Sequence, residues 1–498
     1  MNKKIIFWLD SDFVQFGLAY HLQKKRNFDF YSIVDITNKT KSFFENQNII
    51  KFKKTWYYFD HIKKSKKTPD LEYLKRIEKK YDLNLWELAL NERIFQRFNH
   101  FYDFSTNEIL LILEQECKLF ELILNEVKPD YFLAKETIQH KDELFYQICK
   151  KSGVKPLMRC EPKFGYRSMI TEESQKFDSK NELDDMQNNG RTFDELIKYR
   201  DNFNPSNQIK AWAESFAPVN NQRLRAASKF LFFSENNNAQ THYTYYGRTK
   251  LRVLYHEIIM HFKKRQRKSF IDKNFLTTLQ DNEKFIYFAL SVDEERNLLI
   301  TTPFLTNQLE MIRNIVKSMP VDFKLYVKEP PAQSIRNWRS ISEYKEIMKI
   351  PGVTMVHPSV SPSELYKKCS LVITISGSSS FEAAFYGKPS IVFADVSYTI
   401  LPSVMCVSSI NELSKAINDS LETTVNVSDL DKYVNLLEKN SFNFDVYDLD
   451  VKQHNDFFYG GNYIDVEISD SKMLSFLKEN ESEFEQLSDE YLKKMSQS

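Results

Sequence analysis

The sequence predicts an α/β protein with two successive domains, each built on a parallel sheet, that face each other across a cleft. Apolar strands alternate with helical patterns over residues 4–159 and again over residues 285–421. The length of 498 residues exceeds what one ordinary core accommodates. A Gly/Ser turn joins a buried strand to a helix in the segment LVITISGSSSFEAAFYGKPSIVFA at 371–394, which is typical of a ligand-binding corner.

The first domain is predicted over residues 1–215. Its strands are expected at 4–9, 28–36, 129–134 and 154–159, and its helices at 13–23, 71–101, 106–127 and 141–151. These strands are largely apolar, as strands are when helices cover both faces of a parallel sheet. The helix at 106–127 has a largely apolar face that also contains Glu116. A basic helical linker or insertion is predicted over residues 216–280.

The second domain is predicted over residues 281–425 and repeats the alternation. Its strands are expected at 285–290, 323–327, 353–356, 371–375 and 390–393, and its helices at 306–318, 344–348, 362–368 and 410–421. Residues 426–498 are mixed and polar and are predicted to form a C-terminal extension. Ligands of open parallel sheets bind at the carboxyl ends of the strands, so the loops that follow the strands are the places to search for chemistry.

Composition excludes several classes of protein. The 69 basic and 68 acidic residues leave a net charge of +1, which argues against a general nucleic-acid binder. The five cysteines form no CxxC pair, so neither a disulfide framework nor a zinc site is expected, and a reducing cytoplasm is predicted. The sequence has no apolar run of about 18 residues that predicts a transmembrane helix. It contains no metal-binding motif, and no cofactor is expected.

The loop Ser376–Ser380 follows a buried strand and precedes a helix. Its small residues allow backbone amides to approach a ligand, and Gly377 is expected at a positive φ where the chain turns. The N–H groups at the beginning of a helix favour an anion. The alternative is structural, because Ser379-Ser380-Phe381-Glu382 matches the S-x-x-E capping box, in which Glu382 only satisfies backbone donors.

The segment ITISGSSSFEAAFYGKPSIVF resembles the capsule polysaccharide biosynthesis proteins, the family that contains the bacterial Kdo transferases of capsule assembly. The resemblance extends best over residues 284–421, and it implies a GT-B-like fold of two Rossmann-like domains. It also implies that the loop meets the phosphate of a nucleotide sugar and that Glu382 accepts hydrogen bonds from ribose hydroxyls. The loop residues implied in donor binding are Ser376, Gly377, Ser378, Ser379 and Ser380. Nucleotide-sugar 2-epimerases and the polyol-phosphate transferases of teichoic-acid synthesis are similar over the same half.

Lys328-Glu329-Pro330-Pro331 follows the strand predicted at 323–327, so it is expected at the same cleft. Lys328 is a candidate to neutralise a donor phosphate, and Glu329 is a candidate to hydrogen-bond a sugar. In similar proteins this place commonly reads Lys-x-His-Pro, and here Pro330 stands where the His would be. Because proline has no titratable side chain, the function of that His is absent or supplied elsewhere. The alternative for the whole segment is a solvated turn with two prolines.

His357 comes directly after the strand predicted at 353–356. A histidine at the end of a strand in the cleft can contact the nucleotide and titrates near neutral pH. The alternative is a structural or solvent-exposed histidine.

Candidates for acid and base chemistry follow two strands of the first domain. Asp10 follows the strand at 4–9, whereas the neighbouring Asp12 is better explained as a cap of the next helix. Glu136 and His140 follow the strand at 129–134. A pair formed by these two is the preferred source of acid/base chemistry, because strand-end loops carry the sites of such folds.

The segment Lys250–Lys268 has the pattern of a basic amphipathic helix. Leu251, Leu254, Ile258 and Phe262 are expected near one stripe, with basic residues crowded toward the end. One interpretation is a surface helix whose stripe docks on the core. The other is peripheral attachment to the inner face of an anionic cell membrane, where lipid-linked acceptors are found.

The sequence as a whole favours a metal-independent glycosyltransferase that moves a sugar from a nucleotide-sugar donor to a surface polysaccharide or lipid-linked glycan. The second domain would hold the donor, and the first would present the acceptor. Two alternatives stay open. One is a nucleotide-sugar 2-epimerase, and the other is a catalytically silent GT-B-fold protein that binds glycan or acts as a scaffold, which Pro330 supports.

Overall fold

The computed structural model describes residues 2–178, 183–202, 221–234, 237–334 and 338–497. Its strands are β1 Lys4–Leu9, β2 Asp29–Val34, β3 Lys54–Tyr57, β4 Tyr131–Lys135, β5 Lys155–Cys160, β6 Arg167–Thr171, β7 Phe285–Ala289, β8 Lys324–Lys328, β9 Val353–Val356, β10 Leu371–Thr374, β11 Ser390–Val392, β12 Val404–Cys406 and β13 Phe442–Asn443. Its α-helices up to residue 274 are α1 Val14–Lys25, α2 Asn38–Asn46, α3 Tyr58–His61, α4 Leu71–Tyr81, α5 Leu85–Leu90, α6 Thr106–Val127, α7 His140–Lys151, α8 Phe193–Asn202, α9 Asn221–Ser228, α10 Asn238–Thr241 and α11 Lys250–Asn274. The later helices are α12 Arg296–Leu299, α13 Gln308–Ser318, α14 Ile341–Met348, α15 Pro362–Lys368, α16 Ser379–Ala384, α17 Leu413–Glu422, α18 Val427–Lys439, α19 Val446–Phe457, α20 Asp470–Glu479 and α21 Glu481–Ser496.

The first sheet has the strand order β13-β6-β5-β4-β1-β2-β3. Strands β1 to β5 run parallel, with Ile5 opposite both Phe30 and Tyr131, whereas β6 runs antiparallel to β5 and β13 antiparallel to β6. Residues 5–9 of β1 are buried, as the apolar strand predicts for a central position.

The second sheet has the order β12-β11-β10-β7-β8-β9, and all its strands are parallel. The carboxyl ends of β8, β7 and β10 are therefore neighbours at one edge of this sheet. The predicted fold class is confirmed: two Rossmann-like, parallel-dominated α/β sheets follow each other along the chain in a GT-B-like arrangement.

The prediction of one long helix at 71–101 is wrong, because the segment forms two shorter helices, α4 and α5. The helix α4 ends where Asp82 takes a left-handed conformation with φ of 52°, and α5 begins after Asn84, whose side chain accepts the N–H of Glu87. Asp and Asn tolerate that conformation and make such caps, and these local hydrogen bonds break the periodicity into two helices.

The segment 426–498, predicted as a polar extension, divides between the two domains. Helix α18 packs with Phe381 and Val392 of the second domain, and residues 442–495 return to the first domain and complete its core. Strand β13 joins the first sheet, and α21 packs along α1. The ring of Phe484 lies so close to Gly17 that a Cβ there would be 2.3 Å from it. The polar composition reflects the outer faces of these helices, while their inner faces are apolar and buried. Within the described ranges, no helix is long and apolar enough to cross a membrane.

Candidate functional site

The loops at the carboxyl ends of the two sheets meet in the structure. Arg296, in the segment after β7, lies 3.4 Å from the carboxylate of Glu136, which follows β4. Close by, Gln175 donates from Nε2 to Oδ1 of Asn297 at 3.0 Å. These contacts place the carboxyl edge of one sheet opposite that of the other, so that the predicted cleft lies between them.

The loop after β10 is held by its own serines. Ser376 and Ser380 are buried, and their hydroxyls donate to the carbonyl oxygens of Asn297 at 2.8 Å and Gly377 at 3.1 Å. The hydroxyl of Tyr398 donates to the carbonyls of Ser376 at 2.9 Å and Gly377 at 3.0 Å. The loop carbonyls thus point toward protein. Phosphate binding by this loop stays a prediction.

Position 377 requires a glycine for a different reason from the predicted positive φ. Gly377 is not among the glycines with positive φ, so the expectation of a left-handed turn here is wrong. A Cβ at this position would lie 2.7 Å from Oγ1 of Thr374, which accepts the N–H of Gly377 at 3.3 Å. Glycine is required because the loop folds back tightly on the end of β10, and that places the loop at the edge of the sheet.

Glu382 does not form the predicted capping box. The helix α16 has Ser378 rather than Ser379 at its N-cap, and that cap has no side-chain hydrogen bond to the backbone. The Glu382 carboxylate instead accepts the Ser378 hydroxyl at 2.9 Å and the Tyr366 hydroxyl at 3.2 Å. Since its oxygens are not used on helix backbone donors, the half-buried carboxylate is available to a ligand at the loop.

Lys328, at the end of β8, is a buried cation that forms no ion pair with the described residues. The residue is 2% exposed, and no hydrogen bond or ion pair reaches its Nζ from any described residue. Burial lowers the pKa of Lys328 to about 8, although the charges of Glu329 and Glu382 act in the opposite direction. Only β7 separates β8 from β10 in the sheet, so Lys328 ends its strand on the same edge as the loop after β10. An unpaired buried charge is costly unless a ligand compensates for it.

Glu329 lies one residue further and faces the other way, into a buried ionic network. Its Oε1 accepts Nε of Arg339 at 2.8 Å and the hydroxyl of Tyr344 at 3.0 Å, and Arg339 also pairs with Asp293. Burial raises the pKa of Glu329 against the lowering effect of Arg339. This network fixes the end of β8 and thereby the position of Lys328. A direct contact from Glu329 to a sugar stays a prediction.

His357 is not brought to the Ser376–Ser380 loop. Its strand β9 is three places from β10 in the sheet, which corresponds to about 14 Å. Its ring bonds Ser359 Oγ at 2.6 Å and Asp272 at 3.2 Å, so it ties the end of α11 to the sheet. These contacts support the structural interpretation of this histidine.

On the side of the first domain, Asp10 lines a cavity of about 290 Å³ at the carboxyl ends of β1 and β4. Its Oδ2 lies 2.8 Å from Nζ of Lys135, and its Oδ1 accepts the N–H of Asp12 at 2.8 Å. Burial raises the pKa of Asp10, with Asp12 adding to the effect and Lys135 opposing it. Asp12 is not the predicted cap, because Phe13 takes the N-cap position without a side-chain hydrogen bond, but the Asp12 carboxylate accepts the N–H of Val14 at 3.0 Å at the beginning of α1.

The predicted Glu136–His140 pair is not formed, which corrects the preferred acid/base hypothesis. Glu136 pairs with Arg296 across the cleft and accepts the hydroxyl of Ser174. His140 lies between two buried carboxylates, with Nδ1 2.8 Å from Glu92 and Nε2 2.9 Å from Glu116. Burial lowers the pKa of His140, but the two carboxylates outweigh it and raise the pKa to about 10. A histidine held in this way is a structural cation.

Several residues that line the Asp10 cavity are not among those that the sequence patterns predict for the site. Lys141 pairs with Asp35 at 2.6 Å, and burial raises the pKa of Asp142 to about 6. Arg248, which stacks on Tyr245, has no carboxylate partner in the part of the chain that the structure describes. Asp35 directly follows β2, which ends at Val34, but the strand is predicted to continue to residue 36, so the rule that selects Asp10 does not select Asp35. Arg248 comes from the linker, and no local pattern reveals that it reaches the cavity.

Residues 185–402 match the model of a family described as "Capsule polysaccharide biosynthesis protein". This confirms the predicted family over the segment that contains Lys328, the Ser376–Ser380 loop and Glu382. A comparison with curated proteins finds no match.

Similar solved structures include a UDP-GlcNAc 2-epimerase from Methanocaldococcus jannaschii, with 14% identity, 88% of this chain and 100% of that chain covered, and a TM-score of 0.24. They also include the beta Kdo 2,7 transferase KpsC from Thermosulfurimonas dismutans, with 9% identity and a TM-score of 0.30. That match covers 64% of this chain and 79% of the transferase chain. At such scores neither similarity distinguishes a transferase from an epimerase.

Proposed function

We propose that the protein transfers a sugar from a nucleotide-sugar donor to a surface polysaccharide or a lipid-linked glycan. The observation that carries this proposal is the buried ammonium of Lys328 at the end of β8, on which the charge of the Glu382 carboxylate in α16 acts. A buried ammonium that the described residues leave unpaired is stabilised by a bound anion, and a nearby carboxylate suits the hydroxyls of a ribose. The two groups lie in the segment that matches the capsule family.

The donor would bind with its phosphate at Lys328 and at the N–H groups of Ser378 and Ser379, which have no intrahelical acceptor at the beginning of α16. Lys328 then stabilises the negative charge that develops on the phosphate as the bond to the sugar breaks. In this proposal the donor side requires charge stabilisation and no titrating group. A proline at position 330 is therefore compatible with the reaction.

On the acceptor side, Asp10 is the best placed base. It lines a cavity at the facing edge, and burial raises its pKa toward the range in which a carboxylate accepts a proton efficiently. Glu136 and His140 do not line this cavity, and His140 is held between two carboxylates, so neither is preferred for this role. Metal independence and a cytoplasmic location remain predictions.

Donor binding is tested by isothermal titration with UDP, GDP, CMP and CDP, of which at least one is expected to bind. The substitution Glu382→Gln should weaken that nucleotide about tenfold to a hundredfold, because a hydroxyl donates more strongly to a carboxylate than to an amide. The matched control is Glu412→Gln, which removes an exposed carboxylate of the same domain and should leave the affinity unchanged. If no nucleotide binds the parent protein, the silent scaffold becomes the better hypothesis.

The role of Asp10 is tested by Asp10→Asn. We expect kcat to fall about a hundredfold or more, as for loss of a general base, with the nucleotide affinity unchanged. The comparison variant Glu136→Gln, on the same edge of the cleft, should have a smaller effect on kcat. A larger loss for Glu136→Gln than for Asp10→Asn would transfer the role to Glu136.

The alternative of a nucleotide-sugar 2-epimerase requires acid and base groups around one sugar at the donor site. In the described residues, neither His140 nor His357 reaches the Ser376–Ser380 loop, which disfavours this alternative. Incubation with UDP-sugars in the absence of any acceptor decides the matter, because only an epimerase converts the donor to its epimer under these conditions.

A further inference from the structure

The helix α11 carries an apolar stripe on the side that faces away from the protein. The stripe consists of Leu251, Tyr255, Ile258 and Phe262, whose spacing of four, three and four residues aligns them on one face. They are 80%, 67%, 57% and 60% exposed, respectively. Four large apolar side chains in one exposed row are unusual on a soluble surface.

The interpretation that this helix docks its apolar face on the core is wrong. The only described residue of α11 that is buried is Ile271, near its C-terminal end. Leu254 lies outside the stripe and is half-buried, and Arg267 reaches the protein body by donating to the carbonyl of Trp338 at 2.6 Å. The side opposite the stripe is therefore the one that rests on the protein.

The charge of the helix indicates what covers the stripe. The helix holds eight Lys or Arg and two Asp or Glu, a net charge of +6. Arg252, Lys263, Arg265 and Lys273 are exposed and lie beside or in line with the stripe. A second copy of the chain would bring the same cationic helix against this one, which like-charge repulsion disfavours. An anionic surface with an apolar interior complements both the charge and the stripe.

We propose that α11 lies in the plane of an anionic lipid bilayer, with the stripe inserted among the acyl chains and the basic residues at the phosphate headgroups. The two aromatic rings of the stripe suit this boundary region. The apolar surface continues at one end, where Phe232 and Phe233 are 77% and 62% exposed and Nζ of Lys250 donates to the carbonyl of Leu231 at 2.8 Å. This lipid-binding surface is independent of the proposed sugar transfer.

The test is co-sedimentation of the full chain with vesicles of phosphatidylcholine alone or of phosphatidylcholine and phosphatidylglycerol in a 7:3 ratio. The parent protein should bind the anionic vesicles, less so at high salt, and bind the neutral ones weakly. The double substitution Ile258→Asp and Phe262→Asp should lower binding about tenfold for each side chain that no longer inserts. The control Val321→Asp changes a fully exposed apolar residue elsewhere and should bind like the parent.

The electrostatic part is tested by changing Lys263, Arg265 and Lys273 to Gln. Each removed charge should weaken binding to anionic vesicles about fivefold and leave binding to neutral vesicles unchanged. A matched control changes three exposed lysines of the second domain to Gln, namely Lys349, Lys367 and Lys415.

Three results would overturn the proposal. The first is failure of the parent protein to sediment with anionic vesicles, and the second is equal binding by the Asp variants. The third is a parent protein that is dimeric by analytical ultracentrifugation and becomes monomeric on the Ile258→Asp and Phe262→Asp substitutions without loss of vesicle binding. In that case the stripe is an interface between copies of the chain.

Discussion

Substitution of Lys328 by methionine should lower kcat/KM for sugar transfer about a hundredfold while it makes the ligand-free protein more stable. The loss of activity follows because one charged donor to a developing phosphate charge contributes on the order of 3 kcal/mol. The gain in stability follows because Lys328 is 2% exposed and methionine fills a similar space without a charge. Steady-state kinetics of sugar transfer and chemical denaturation of the two ligand-free proteins measure the two effects separately.

The stability gain has a defined pH dependence. Burial lowers the pKa of Lys328 from 10.5 in the unfolded chain to about 8 in the folded one, which corresponds to a cost of up to about 3 kcal/mol when the group is charged. Between these pH values the unfolded state binds more protons, so the stability of the parent protein rises as the pH increases. The advantage of the methionine variant should be greatest below pH 8 and vanish near pH 10.5.

A control for Lys328→Met is Lys324→Met, at the other end of the same strand, where the side chain is exposed. It should change neither activity nor the pH dependence. If Lys328→Met destabilises the ligand-free protein and leaves nucleotide affinity intact, Lys328 has a structural partner and the proposed donor site is wrong.

Substitution of His140 by leucine should destabilise the fold by about 3–5 kcal/mol, because two buried carboxylates, Glu92 and Glu116, would lose their shared cation. The hydroxyl of Tyr58 also bonds Glu116, but a neutral donor does not replace the charge. Urea denaturation at pH 7 measures the loss.

The same cluster predicts how stability depends on pH. The pKa of His140 is raised from 6.5 to about 10, so its contribution is complete below pH 6.5 and is lost as the pH rises toward 10. Burial raises the pKa of Glu92, but its hydrogen bonds and charge interaction with His140 lower it to about 2, so its contribution is present above pH 4.5 and is lost on acidification. The difference in stability between parent and His140→Leu should therefore be largest from about pH 5 to 6.5.

The exposed His61 provides the control, and His61→Leu should leave stability within about 0.5 kcal/mol of the parent. A His140→Leu protein that keeps its stability but loses kcat would contradict the structural role and return this histidine to the catalytic candidates.

Much of the second domain could be predicted because its information is local. The apolar pattern before Ser376 marks the end of β10, and the glycine and proline after α16 mark the end of that helix. All these signals lie within a few residues of the site. Position in a parallel sheet then follows from right-handed crossovers and places Lys328 at the same edge. The resemblance to the capsule proteins is concentrated in this region for the same reason.

The sequence does not predict the role of a side chain whose ion-pair or hydrogen-bond partners are distant along the chain. The partners of His140 come from α6 and from the turn after α5, and Arg296 reaches Glu136 from the other domain. One signal was present: Glu116 interrupts an otherwise apolar helical face, and a buried carboxylate requires a partner. The exposed stripe of α11 has the same periodicity as a core-facing stripe, so periodicity alone could not show which side faces the protein.

The contact between Gly17 and Phe484 has a consequence for how the chain is made. The first domain's core includes residues at both ends of the described sequence, whereas the second sheet uses only residues 285–406. During synthesis β1 and α1 leave the ribosome well before α21, so part of their apolar surface stays uncovered until α21 has emerged. The core of the second domain is closed by α18, which ends at Lys439 and thus precedes α21, so we expect the second domain to fold before the first.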